Sequence, residues 1–282
     1  MSTSTTTTTA GPEATLFAPA PGCAHHDPTR STSVRHVDVE YTSRCNLRCT
    51  YCSVSQPGYD GSDLDDVRAR ALIDDLMAFG APNVAVNGHG ETTMIKGWHR
   101  FADELLSRGL RLQITTNFAR ALSDEELAVF ARFAEIRISL DTVDDDLLRR
   151  VRRKVGLGTV VANLMKVRAA ALAQGAPGPD FTFSCGVYDR NVTKLPDLAR
   201  FAVVGGIRRV CFWNYIKFED VEDGLNVYPL SHLAPTELRE AVAAIHAAAE
   251  ILHAGGVEIE FAGDFVEVLA ARVEATCTGD AR

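Results

Sequence analysis

The chain has 282 residues, 46% of them hydrophobic, and a formal net charge of −8. That length and apolar fraction can bury one sizeable core, and the acidic balance gives no general attraction to phosphate backbones, so nucleic acid is disfavoured as a partner. No segment is long and apolar enough to span a bilayer. The seven cysteines, whose closest three have metal-ligand rather than disulfide spacing, point to a reducing, cytoplasmic setting.

Residues 1–35 run through Thr and Ser into Gly, Pro and Ala, without a basic start or a sustained apolar stretch. They read as a disordered tail rather than a signal peptide. Within them Cys23, His25 and His26 could hold a metal, but a solvated tail is the favoured reading.

From His36 onward, short apolar runs alternate with helical patterns, the signature of βαβ units and a parallel sheet. Strands are expected over 37–42, 84–87, 110–115, 136–140, 181–187 and 210–214, and a last one over 257–261. A helix beginning near Ser62 would put Leu64, Val67, Ala71, Leu72 and Leu76 on one face. Another starts at Ser123, with Glu126 three residues on as a capping box. The segment after Pro235 carries Leu238, Val242, Ile245, Ala249 and Leu252 at helical spacing and stops at Gly255 and Gly256. Six or seven strands are too few to close an eight-stranded barrel. The expected fold class is therefore α/β, an open partial (βα)6 TIM-like barrel of mostly parallel strands over residues 36–282, with a short C-terminal helical extension.

Strand alternation predicts the lining of that barrel. Setting Ser139 and Asp141 inward also sets Arg137 inward, together with Asp38, Glu40, Thr42, Asn87, Gln113, Thr115, Asn117, Thr182 and Ser184. Such a polar lining needs internal partners, water or a polar ligand. Alternation sends Cys185 toward the helices with Phe183 and Val187. Cys211, followed by Phe212 and Trp213, stays undecided.

Cys45, Cys49 and Cys52 lie within eight residues, just past the first strand. Thiolates at this spacing suit one face of an iron-sulfur cube. A structural zinc site would want a fourth closed ligand, and Cys23, Cys185, Cys211 and Cys277 are isolated in sequence.

The C-x-x-x-C-x-x-C motif, with Tyr51 before its last cysteine, resembles that of the radical S-adenosylmethionine (radical SAM) enzymes. Three further segments resemble the family's in the expected order: Gly88-His89-Gly90-Glu91, Thr115-Thr116-Asn117, and Ile138-Ser139-Leu140-Asp141 with the arginine-rich stretch 147–153. The likeness covers roughly residues 37–215. His89, Thr92 and Phe118 depart from common glycine, proline and glycine in the family, and no adenine-contacting segment is recognised. The resemblance implies a 4Fe-4S cluster on Cys45, Cys49 and Cys52, with its fourth iron free to chelate S-adenosyl-L-methionine. Tyr51 would cover the cluster. Gly90 and Glu91 would meet the SAM amino group, Asn117 and Ser139 the ribose, and Arg152 the carboxylate. The implied chemistry is reductive cleavage of SAM to a 5′-deoxyadenosyl radical that abstracts hydrogen, fed by a flavodoxin- or ferredoxin-type electron donor.

The polar lining favours a small polar substrate, such as a sugar, aminocyclitol, nucleoside or amino acid, in specialised biosynthesis. An epimerase-, mutase- or lyase-type outcome is expected over dehydrogenation, with Cys211 as a hydrogen-donor candidate. The alternatives are a radical SAM peptide maturase or RNA-modifying enzyme, and a non-catalytic metal-stabilised binding protein.

Overall fold

The computed structural model describes residues 35–80, 82–215 and 227–278. Cys23, His25, His26 and the rest of the expected tail up to residue 34 lie outside the described residues. Seven strands form one sheet in sequence order: β1 (His36–Glu40), β2 (Asn83–Asn87), β3 (Arg111–Thr116), β4 (Glu135–Ser139), β5 (Asp180–Val187), β6 (Arg209–Asn214) and β7 (Glu258–Ala262). Every neighbouring pair is parallel, and β1 and β7 do not pair with each other, so the barrel is open. The architecture is the expected one, with the last strand present as β7 and every pair parallel.

Eight α-helices connect and follow the strands among the described residues: α1 (Asp66–Phe79), α2 (Trp98–Ser107), α3 (Asp124–Phe130), α4 (Asp145–Arg152), α5 (Leu157–Ala173), α6 (Leu195–Val204), α7 (Pro235–Ala254) and α8 (Phe265–Thr278). None is long and apolar enough to cross a membrane by itself. Two of them, α4 and α5, fill the β4-to-β5 crossover. The first, α4, meets the cysteine loop through the Thr50 amide and the Val151 carbonyl.

Parallel pairing aligns residues of like orientation, and so divides the sheet into two chemistries. Val39, Val84, Val86, Leu112, Ile114, Ile136, Ile138, Phe181, Phe183, Cys185, Val210 and Phe212 are buried in the main apolar core. Burying each aliphatic or phenyl side chain contributes about 1.5–3 kcal/mol, so this face fixes the register: a one-residue slip would expose the whole set. The opposite face is the lumen. One register row runs Thr115, Arg137, Thr182, Arg209, Glu258, and the next runs Ser139, Ser184, Cys211, Glu260. Cys211 is therefore a lumen residue, which its apolar neighbours in sequence left open.

The first helix starts later than its periodicity suggests. Asp65, rather than Ser62, caps α1 by accepting from the Arg68 amide at 2.8 Å. The residues before it are held extended: Thr42 and Asp63 form an antiparallel bridge, the Ser43 amide donates to the Ser62 carbonyl at 2.9 Å, and the Leu64 amide donates to the Tyr41 carbonyl at 2.9 Å. The helix buries Ala69, Ile73 and Leu76, leaving Val67 on the exposed side. The capping box at Ser123 forms as expected, and the Glu126 carboxylate also accepts from the Trp98 indole at 2.6 Å, tying α3 to α2. Burial opposes the Glu126 charge, but hydrogen bonds from Arg120, the Ser123 amide and Trp98 outweigh it and hold its pKa below the usual value.

Candidate active site at the carboxyl ends of the strands

In parallel α/β barrels the loops that follow the strands make the site, and the cysteine loop follows β1. Its entry is clamped from both sides. The Gly90 amide donates to the Thr42 carbonyl at 3.2 Å and the Glu91 amide to the Arg44 carbonyl at 2.8 Å. Across the loop, Asp63 accepts from the Thr42 hydroxyl at 2.6 Å and from Arg44 Nε at 3.0 Å. This contact explains the glycine at 90. A Cβ there would stand 2.2 Å from the Arg44 carbonyl oxygen and 2.7 Å from its nitrogen. Gly90→Ala is expected to push the cysteine loop off the β2 end and weaken iron retention by about 10–100-fold, as supporting residues around metal ligands do; iron content after gel filtration reads it.

Glu91 is buried, and its carboxylate works as a staple. One oxygen accepts from the hydroxyls of Thr93 at 2.6 Å and Thr116 at 2.7 Å, and the other from the Asn117 amide at 2.7 Å. The ends of β2 and β3 are thereby locked together. Asn117 then reaches the cysteine loop, its side-chain amide donating to Asn46 Oδ1 at 2.9 Å and lying 3.9 Å from Cys45 Sγ. Next to it, Phe118 adopts φ +49. A left-handed conformation costs a non-glycine residue about 1–2 kcal/mol; here the fully buried ring, packed edge-on to Phe130 at 5.5 Å, offsets that cost.

The loop's far end rests on β4 and α4. Tyr51 donates its hydroxyl to Asp141 Oδ2 at 2.9 Å, and Arg152 grips the same carboxylate through two hydrogen bonds of 2.8 Å. The guanidinium also lies over the Tyr51 ring, 5.6 Å from its centroid. The Thr50 amide donates to the Val151 carbonyl at 2.9 Å, and Cys49 Sγ lies 3.7 Å from the Arg152 carbonyl oxygen. Asp141 further accepts from the Gly186 amide at 3.1 Å, and its carbonyl accepts from Asn191 at 2.9 Å. One buried carboxylate thus joins the cysteine loop, α4 and the end of β5.

The donor set suits an iron-sulfur cube. The Leu47 amide points at Cys45 Sγ at 3.4 Å, the kind of N–H to sulfur contact that supports cluster thiolates. Burial pushes the Cys45 thiol up and, against the nearby Arg152 charge, pushes the Cys49 thiol up to about 12. Thiols so placed become thiolates only with compensating positive charge, which iron supplies. Among the described residues no three His, Cys, Asp or Glu side chains are arranged to hold a single metal ion. Thiols that each bind a different iron of one cube have no need to converge on one point.

The model of the Radical SAM superfamily matches residues 39–202. The chain belongs to this superfamily. The cofactors of that superfamily are a 4Fe-4S cluster and S-adenosylmethionine. The tungsten-containing aldehyde ferredoxin oxidoreductase cofactor-modifying protein of Pyrococcus furiosus is 27% identical over 67% of this chain and 54% of its own length. Fe-coproporphyrin III synthase of Methanosarcina barkeri is 30% identical over 62% of this chain and 42% of its own. The chain thus spans about half the length of these curated relatives. Among solved structures, Streptococcus suis SuiB bound to S-adenosylmethionine superposes with a TM-score of 0.62 at 16% identity, over 81% of this chain and 50% of that one. That likeness is one of fold.

The radical SAM segments seen in the sequence gather at one end of the barrel, with three differences in detail. Glu91, expected at the SAM amino group, has both carboxylate oxygens engaged by Thr93, Thr116 and Asn117. Arg152, expected at a SAM carboxylate, is already engaged twice by Asp141. Burial works against its charge, but Asp141 more than offsets this, so its pKa is raised. Asn117, expected at the ribose, touches Asn46 and lies near Cys45. Ser139, at the end of β4, faces the lumen half-buried as expected. Cys185 sits in the core, 3.5 Å from the Asp141 carbonyl oxygen, and Cys211 lies in the lumen row beside Glu260. Trp213 and Gly186 were not singled out from the sequence as site residues. The Trp213 indole donates to Ser184 Oγ at 3.2 Å and covers Gly186 so closely that a Cβ there would stand 2.7 Å from the ring. It also meets Tyr51 edge-on at 6.1 Å, linking the lumen to the cysteine loop. Gly186 pairs in register with Trp213 on the next strand, a match that the sequence alone does not show.

Proposed function

We propose that Cys45, Cys49 and Cys52 hold the 4Fe-4S cluster and that the protein acts on a small polar metabolite bound in the lumen. The turn at Gly90 and Glu91, fastened to the cysteine loop through their amides, would receive the methionine end of SAM. Ser139 and Asn117 line the approach to the ribose, and Tyr51 covers the cluster. Cluster and SAM, when bound, supply hydrogen abstraction from an unactivated C–H bond; the chain's own residues bind, orient and exclude water. A flavodoxin- or ferredoxin-type protein would deliver electrons in a reducing, cytoplasmic setting.

The observation that carries the substrate class is the lumen itself. Arg137 pairs with Glu135 at 2.9 Å and faces Glu260 at 3.9 Å, while Arg209 pairs with Glu258 at 2.7 Å and faces Glu260 at 3.9 Å. Hydroxyls of Ser139, Thr182 and Ser184 stand in the same two rows. Such a lining suits sugars, aminocyclitols, nucleosides or amino acids. Incubation with such a pool under anaerobic, reducing conditions should release 5′-deoxyadenosine in step with substrate loss; its release only with a precursor peptide would favour the second reading below.

Within this proposal Cys211 is the hydrogen donor of a redox-neutral, epimerase-type outcome. Burial, then the charge of Glu260, pushes its thiol up to about 11, so it carries its proton at neutral pH. Donation would break S–H and form C–H on the substrate carbon. The sulfur radical left behind takes one electron from the external donor and one proton to restore the thiol. Cys211→Ala is expected to keep 5′-deoxyadenosine formation while abolishing deuterium uptake from heavy water into product; unchanged uptake, read by mass spectrometry, would remove Cys211 from this role.

The second reading is peptide maturation. It is favoured by the shared fold with SuiB, which has been solved with its precursor peptide SuiA, and by 26% identity over 58% of this chain to the mycofactocin maturase of Mycolicibacterium smegmatis.

A further inference from the structure

Arg152 and Asp141 are buried more deeply than a loop anchor requires: their side chains are 7% and 1% exposed. Fastening the cysteine loop to α4 needs only a neutral hydrogen bond, whereas burying two full charges carries a desolvation cost that their attraction roughly repays. The pair is fastened to the cysteine loop on both sides of Cys49: the Arg152 backbone carbonyl lies 3.7 Å from Cys49 Sγ, the Thr50 amide bonds the Val151 carbonyl, and Tyr51 donates its hydroxyl to Asp141. Reducing a cluster adds one negative charge beside this pair. In a poorly screened interior, a fixed cation favours that state and a fixed anion opposes it.

Resting on the reading that Cys49 is a cluster ligand, we propose that Arg152 and Asp141 act on the reduction potential of the cluster with opposite signs, and that their pairing cancels the two effects. They are positioning residues for the electron rather than groups that touch the substrate. Tyr51 completes the arrangement by holding the carboxylate toward the loop, so that neither charge can drift away as the cluster changes state. Reductive cleavage of a sulfonium needs an electron of low potential, and an unneutralised Arg152 would raise the potential of the cluster.

The test is a redox titration of the anaerobically reconstituted full chain without SAM, followed by electron paramagnetic resonance, with iron counted on the same samples. Asp141→Asn should shift the potential upward and Arg152→Gln downward, while Arg152→Lys and the double variant D141N/R152Q should stay near the parent. Shifts of the same sign in both single variants, or no shift in either with iron retained, would overturn the proposal. Should the single variants fail to take up iron, the double variant decides: iron bound at the parent potential supports the proposal, and lost iron or a displaced potential overturns it. A parent protein that takes up no iron contradicts the cluster reading itself, a different outcome from a cluster whose potential ignores the pair.

Discussion

Cys49→Ser is expected to leave the protein folded, nearly free of iron and unable to form 5′-deoxyadenosine. The thiol is 8% exposed and sits on the inner side of the loop, against α4. A hydroxyl there is close in size, so the packing of Leu47 and Val54 around the loop survives. What is lost is a thiolate, and oxygen at this position is a poor substitute for sulfur on iron. Cys45→Ser and Cys52→Ser should follow the same pattern less completely, because both positions are more exposed. Iron and sulfide analysis, visible absorbance and circular dichroism on the same sample separate loss of the cluster from loss of the fold. A Cys49→Ser protein with parent iron content would remove Cys49 from the ligand set.

The second large effect is on stability. Removing either member of a buried ion pair leaves the other charged and unpaired, at a cost of about 3–5 kcal/mol, whereas replacing both with neutral groups is often close to neutral. Arg152→Met should therefore lower the unfolding free energy by about 3–5 kcal/mol, and Asp141→Asn by somewhat less because it keeps hydrogen-bonding capacity toward Tyr51 and Gly186. The double variant should recover most of the loss. A double-mutant cycle by denaturant titration measures the coupling directly. Additive losses, with no recovery in the double variant, would mean that the two charges do not depend on each other.

Much of the site was legible because it rests on local rules. Alternation along β4 and β5 placed Ser139, Asp141, Thr182 and Ser184 inward and Cys185 outward, since the apolar set on the other face is unambiguous. It failed on β6, where Cys211, Phe212 and Trp213 are apolar in succession; only the pairing of Ser184 with Cys211 decides that face. The start of α1 was misread for a similar reason. Ser62 and Asp65 both suit a cap, and the choice between them is made by a contact with Thr42, about twenty residues away.

The junction at Asp141 was hidden more deeply. The resemblance picks Arg152 out of the arginine-rich stretch, and Arg149 and Arg150 do remain on the outer side of α4, but nothing in the sequence gives Asp141 as the partner of Arg152. That pairing comes from the short α4 folding back over the cysteine loop before α5 begins. Motif order revealed the chemistry of the family, because the residues that meet a shared cofactor recur at strand ends. The lumen rows carry Arg137, Arg209, Glu258 and Glu260, charges that no motif in the sequence marked.

The central claim is that three thiols of one loop hold a cluster that leaves an iron open to SAM. Electron paramagnetic resonance of the dithionite-reduced, anaerobically reconstituted protein, recorded before and after SAM is added, tests it most directly. The expected result is a reduced 4Fe-4S signal, with about four irons per chain, whose spectrum changes when SAM binds. A colourless zinc-loaded protein, or a cluster signal indifferent to SAM, would contradict it.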